Sequence, residues 1–131
     1  MWGDVLSLLT LGGLLFFPAV VAPTVFKSLP EAEAGHFLRA LFPRYYLFLI
    51  IGSAAAALAH GRAAPEPALL AAAVAVSTAA VLLLLVPKIN ALRDRQLAGD
   101  DAAGRAFDRA HRLSVGINFV QIGALILAVA R

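Results

Sequence analysis

The residues best placed for chemistry form a row near the C-terminal end: His111, Ser114, Asn118 and Gln121 are spaced 3, 4 and 3 apart. That spacing puts imidazole, hydroxyl and two amides on one face of an α-helix. Asn118 and Gln121 lie well inside an apolar block, where polar side chains turn toward neighbouring helices because hydrocarbon offers them no partner. The row therefore has two readings. It is interhelical glue, with hydrogen bonds averaging about 0.6 kcal/mol, or it lines a site for a small ligand or ion.

A second group is basic. Lys88 and Asn90 follow Pro87 at the end of another apolar block, and Arg44 sits at the matching level of its neighbour. Together they read either as a mouth that receives an anion such as a lipid headgroup, or as interfacial anchors. In the second reading Lys and Arg snorkel toward phosphates and Tyr45-Tyr46 forms an aromatic belt. His36 and His111 fall on one side of the chain's hydropathy pattern and His60 on the other, with no metal-ligand spacing among them. A metal site needs three or four ligands, so none is expected; a haem held by two histidines remains a minor alternative. The chain has no Cys, no Asp or Glu inside an apolar block, no Walker loop and no paired carboxylates. No Ser/His/Asp set is expected either, and the reading is of a protein that is not an enzyme, with no catalytic residue and no cofactor.

The elements that must position these residues follow from composition. The 131 residues are 61% hydrophobic and 15% charged, with a mean hydropathy of +0.84, far to the apolar side of a soluble domain. The excess falls in four blocks, giving crossings over about 5–26, 44–60, 68–87 and 113–130. Each is close to the length a helix needs to span ~30 Å of hydrocarbon. The ~10-residue alternation of a membrane β-barrel is missing. The expected fold is an all-α, antiparallel, four-helix transmembrane bundle in one domain.

Charge predicts its orientation. Lys27, Arg39, Arg44, Lys88, Arg93, Arg95, Arg105, Arg109 and Arg112 belong to the first and third connections, whereas only Arg62 and Arg131 lie on the other side. The positive-inside rule then puts the nine in the cytoplasm and both termini outside, most simply in a bacterial inner membrane. The first block lacks a positive n-region and is read as a retained helix rather than a signal peptide. Without a basic stripe interleaved with aromatics, nucleic acid is not an expected partner. The expected partners are the bilayer and either further copies of the chain or a larger membrane complex.

Local signals sharpen the helix ends. Ser28-Leu29-Pro30-Glu31 reads as a cap followed by an early Pro, with the helix from Glu31 running into the second crossing and kinking at Pro43. Leu97-Ala98-Gly99-Asp100 reads as a stop at Gly99 and a new cap at Asp100. The third and fourth helices should therefore extend beyond the lipid. Asp101, Arg105, Asp108 and Arg112 make an alternating charge row, read as a solvated face. Pro18 and Pro23 free carbonyls in the first helix that neighbours must satisfy.

The motifs Val21-Ala22-Pro23-Thr24-Val25-Phe26, Leu41-Phe42-Pro43-Arg44-Tyr45-Tyr46, Val86-Pro87-Lys88-Ile89-Asn90 and Phe107-Asp108-Arg109-Ala110-His111-Arg112-Leu113-Ser114, followed by Asn118, run along nearly the whole chain. In this order and spacing the chain resembles the transmembrane protein 205-like family. The resemblance implies a four-helix integral membrane protein of a domain without assigned function. It matches His111, Ser114 and Asn118 to one family pattern and Pro87 and Asn90 to another, and leaves His36 unmatched. One Met and no Cys keep a soft-metal export role from being carried over. The leading expectation is a protein that binds or moves a small amphiphile or anion through a polar cavity lined by the fourth helix. The alternatives are an accessory subunit of a larger membrane complex and a haem- or quinone-binding redox protein.

Overall fold

The computed structural model describes residues 1–131. It is all helix: α1 over Trp2–Ser28, α2 over Glu31–His60, α3 over Pro65–Leu97 and α4 over Asp101–Val129. All four are long and apolar enough to cross a membrane. Successive helices run antiparallel, and each packs on two others around a closed ring, α4 returning to α1. One end of the bundle holds residues 1 and 131 (the terminal end); the other holds most of the Lys and Arg (the basic end).

Each helix contributes a fully enclosed aliphatic side chain to the axis: Leu14, Leu49, Val74 and Leu125, all no more than 1% exposed. Larger apolar side chains face outward, Ile51 at 66%, Leu83 at 70%, Phe119 at 69% and Val120 at 74% exposed. A surface of that kind lowers its free energy against acyl chains or another apolar helix, not against water. Close backbone approach assists the inner packing. A side chain at Gly13 would overlap the Phe48 ring, and one at Gly52 would overlap the Thr10 hydroxyl, fastening α1 to α2.

Two of the helices are widened at the same relative position. Phe17–Val21 in α1 and Val81–Leu85 in α3 are π-helical turns, each ending two residues before a proline, Pro23 and Pro87. Proline lacks the N–H and its ring crowds the carbonyl four residues back. Here those carbonyls belong to Ala19 and Leu83, inside the widened turns, so the extra width relieves the clash. Thr24 Oγ1 donates to the Val20 carbonyl at 2.6 Å, satisfying part of the loosened turn from its own helix. The kink expected at Pro43 takes no such form, since α2 stays α-helical through it.

The helix ends agree with the sequence at one hairpin and differ at the other. Gly99 has φ +101°, a left-handed conformation that suits glycine, and the Asp100 carboxylate accepts from the Ala103 N–H at 3.0 Å. Ser28, expected as a cap, is instead the last residue of α1, and Pro30 precedes α2 with an extended ψ of 152°. Fixed φ lets proline enter a helix without a side-chain acceptor. Beyond the apolar spans, α2, α3 and α4 continue as a charged bundle extension. It is joined by Arg39–Asp94 at 2.9 Å and Arg93–Glu31 at 3.0 Å, with the Arg93 guanidinium 5.4 Å over the Phe107 ring.

Candidate functional site

The α4 row does not act as one unit. Gln121 is buried and its side-chain amide donates to Ser77 Oγ at 2.8 Å and Thr78 Oγ1 at 3.1 Å, both on α3. Those hydroxyls in turn donate to the Val74 carbonyl, at 3.1 and 2.7 Å. Ser114 is buried too, but its hydroxyl is spent on the His111 carbonyl of its own helix at 2.7 Å. His111 is exposed, its ring parallel to Phe107 with centroids 6.0 Å apart. Asn118 is half-buried, sits at the edge of the buried face that carries Ser114 and Gln121, and has no hydrogen-bond partner within the protein. Neither the His111 ring nor the Asn118 amide makes a hydrogen bond within the protein, and of these two only Asn118 is partly buried.

The basic residues sort by partner. Arg39, Arg93 and Arg95 each pair with a carboxylate, Arg95 with Asp100 at 2.8 Å. Lys88, Arg105, Arg109 and Arg112 are exposed on α3 and α4 and make no ion pair. The alternating row Asp101, Arg105, Asp108, Arg112 likewise forms no pair, as a solvated face would not need to. Arg44 does not join Lys88 and Asn90. It is exposed and donates to the Ala40 carbonyl at 2.7 Å, one turn back along its own helix. Asn90 is half-buried and its backbone carbonyl accepts from Arg39 at 3.4 Å. Lys88 instead shares a groove of about 230 Å³ with Arg109, a residue the sequence reading left among the general loop charges.

Tyr45 and Tyr46 are not an interfacial belt. They are 9% and 5% exposed, and Tyr45 stacks on Phe17 at 4.4 Å while Phe42 stacks on Tyr46 at 5.9 Å. The Tyr45 hydroxyl and Ser53 Oγ are buried without a partner. Adjacent rings in a helix point about 100° apart; both are enclosed because α1 and the widened turn of α3 close over that arc.

The terminal end holds a polar cluster whose members are far apart in the chain. Ser7 Oγ lies 3.3 Å from His60 Nε2, Arg131 lies 3.5 Å from His60 Nδ1, and Arg131 also binds Asp4 at 2.6 Å across 127 residues. The His60 ring covers Gly3, where a Cβ would overlap it. The chain of contacts runs Ser7–His60–Arg131–Asp4, with the carboxylate held by the guanidinium and not by the imidazole. No carboxylate contacts Nδ1; the group facing it is the Arg131 guanidinium, a donor, so the ring lacks the acceptor that orients a catalytic histidine toward a nucleophile. Ser7 is also fully enclosed, so the cluster ties three helix ends together. His36 is exposed at the basic end, away from His60.

A sequence profile described as a domain of unknown function, DUF4149, matches residues 5–98. No curated protein and no solved structure matches the chain. The match covers most of the sequence, and the chain belongs to the DUF4149 family. It is an integral membrane protein by its four apolar helices.

Proposed function

We propose that this member of the family is a non-enzymatic membrane protein that binds a small amphiphile or anion entering from its basic end. The observation that carries the reading is Asn118: a half-buried amide within an apolar span, unpartnered while Ser114 and Gln121 on either side are satisfied. An amide left unpaired in hydrocarbon is costly, and polar residues retained at that depth commonly serve a ligand or pathway. The unpaired Tyr45 hydroxyl, buried inside the bundle, adds a second free polar atom. Binding is favoured over conduction because Leu14, Leu49, Val74 and Leu125 fill the axis. The positive-inside rule places the basic end in the cytoplasm and both termini outside, consistent with a bacterial inner membrane. The motif order described above supports placing the chain with transmembrane protein 205-like proteins.

Asn118→Leu tests the reading. It should weaken retention of a fluorescent anionic amphiphile in detergent micelles while leaving helicity and the thermal midpoint unchanged or raised. A lowered midpoint with unchanged retention would make Asn118 a packing residue.

One observation favours a second reading, an accessory subunit or homo-oligomer. Gly116 and Gly123 lie seven residues apart on one face of α4 with open space beside each, a surface on which another helix can approach closely. Co-purification in mild detergent separates the two: a stoichiometric partner supports it, and a monodisperse monomer opposes it.

A further inference from the structure

We infer that the groove between α3 and α4 at the basic end is a seat for the phosphate headgroup of an anionic glycerophospholipid, with Lys88 and Arg109 as its ligands. This rests on the reading that the basic end receives an amphiphile, and it names the class.

The groove is lined by Leu85 and Lys88 from α3 and by Ala106, Arg109, Ala110 and Leu113 from α4. Spacings of 3 on one helix and of 3, 1 and 3 on the other put each set on a single helical face. Two cations and four apolar residues, with no carboxylate among them, describe the chemistry of the occupant. It carries negative charge and is continuous with something greasy. The cations lie where the apolar spans end: the third runs to about residue 87 and Leu113 opens the fourth. That is the level of lipid phosphates in a bilayer. Below them Leu84 is 74% and Leu113 57% exposed, offering aliphatic surface along which an acyl chain can lie.

Both cations of the groove are free of carboxylate partners, and among the unpaired basic residues these two share one groove. Arg39, Arg93 and Arg95 are neutralised by carboxylates, whereas Lys88 and Arg109 are not. On α4 the residues three and four away from Arg109 are Arg105, Ala106, Arg112 and Leu113, none of them acidic. A guanidinium fork and an ammonium converging on one groove suit a phosphodiester, the Arg giving two directed donors and the Lys a point charge. A zwitterionic headgroup would bring its own ammonium toward these cations, so a lipid with net negative charge is preferred. Basic pockets between membrane helices at the leaflet surface bind such headgroups.

The test uses the full chain in nanodiscs containing phosphatidylglycerol and phosphatidylcholine, with retained lipid read by native mass spectrometry. Wild type should retain phosphatidylglycerol preferentially. Lys88→Gln and Arg109→Gln should each reduce that preference about fivefold, and the double variant about 25-fold. Arg105→Gln/Arg112→Gln removes the same charge beside the groove and should leave the preference within about twofold, since diffuse attraction is largely screened by salt. Equal losses in both double variants, or no loss in Lys88→Gln/Arg109→Gln, would overturn the site. Displacement of the lipid by inorganic phosphate would overturn the lipid assignment in favour of a soluble anion. If Asn118→Leu impairs amphiphile retention and Lys88→Gln/Arg109→Gln does not, this inference fails and the proposed function stands; the reverse result leaves the headgroup seat and removes Asn118. Circular dichroism and gel filtration confirm that each variant folds, and the single variants serve where a double does not.

Discussion

Gln121 on α4 holds Ser77 on α3 at 2.8 Å, and the same amide reaches Thr78 at 3.1 Å. Both hydroxyls remain bonded to the Val74 carbonyl of their own helix whether or not Gln121 is present. Gln121→Leu therefore strands no buried donor or acceptor on α3. Two interhelical bonds at about 0.6 kcal/mol each predict a loss of only about 1 kcal/mol. Reversible unfolding in mixed micelles measures it. A loss above about 3 kcal/mol would mean that the amide's other atoms serve a network beyond these two contacts.

Adjacent glycines on α1 should respond oppositely to the same substitution. A Cβ at Gly13 overlaps the Phe48 ring, whereas Gly12 has nothing within 4 Å. Gly13→Ala forces α1 and α2 apart or turns Phe48, at a cost of about 1–3 kcal/mol. Gly12→Ala meets no obstacle and gains helix propensity, about 0.5–1 kcal/mol. Parallel thermal melts of the two variants in one detergent decide it, and a shared direction of change would contradict the packing of α1 on α2.

The extent to which sequence anticipated these features follows physical lines. The four spans, the Gly99 stop and the Asp100 cap are local, set by hydropathy, glycine backbone freedom and a carboxylate beside free N–H groups, so they could be read directly. Proline signalled trouble in α1 and at Pro43, but its type alone does not separate Pro23, preceded by a widened turn, from Pro43, which is not, and the widened turn before Pro87 has no counterpart in the sequence reading. Arg93 and Arg109 look equivalent in the sequence; what differs is the helix lying opposite, which brings Glu31 to one and leaves the other facing Lys88 across a groove. The terminal cluster was hidden for the same reason. Asp4, Ser7, His60 and Arg131 meet only because three helix ends converge. Likewise the row on α4 was visible as a row, but its division into used and unused side chains depends on Ser77 and Thr78 of another helix.

At the α3–α4 hairpin, the Ala103 N–H and then the Arg95 guanidinium hold the Asp100 carboxyl below the usual carboxylate range. A folded-state pKa below the unfolded value means stability that is present above about pH 3.9 and lost as pH falls through the folded value. Asp100→Asn keeps a capping side chain but carries no charge. Its thermal midpoint should fall less steeply with acid than that of wild type, while Asp100→Ala should be less stable across the whole pH range. Melts between pH 3 and 7 test the order, and identical acid limbs for wild type and Asp100→Asn would show that the carboxylate charge, toward the Ala103 N–H and Arg95 alike, contributes nothing.

The absence of cysteine makes the orientation directly measurable. The α3–α4 hairpin and the short turn after α2 lie at opposite ends of the bundle, so they report opposite faces of the membrane. Ala102→Cys is exposed in a helix start flanked by unpaired charge, and Arg62→Cys is exposed beyond the end of α2. With most of the Lys and Arg drawn to the cytoplasm, a membrane-impermeant maleimide should label Arg62→Cys in intact cells and Ala102→Cys only after the membrane is opened. The reverse pattern would place the Lys88–Arg109 groove in the outer leaflet and invert the proposed topology. Labelling of both in intact cells would instead mean dual insertion, a result that nine positive residues on one end against two on the other argue against.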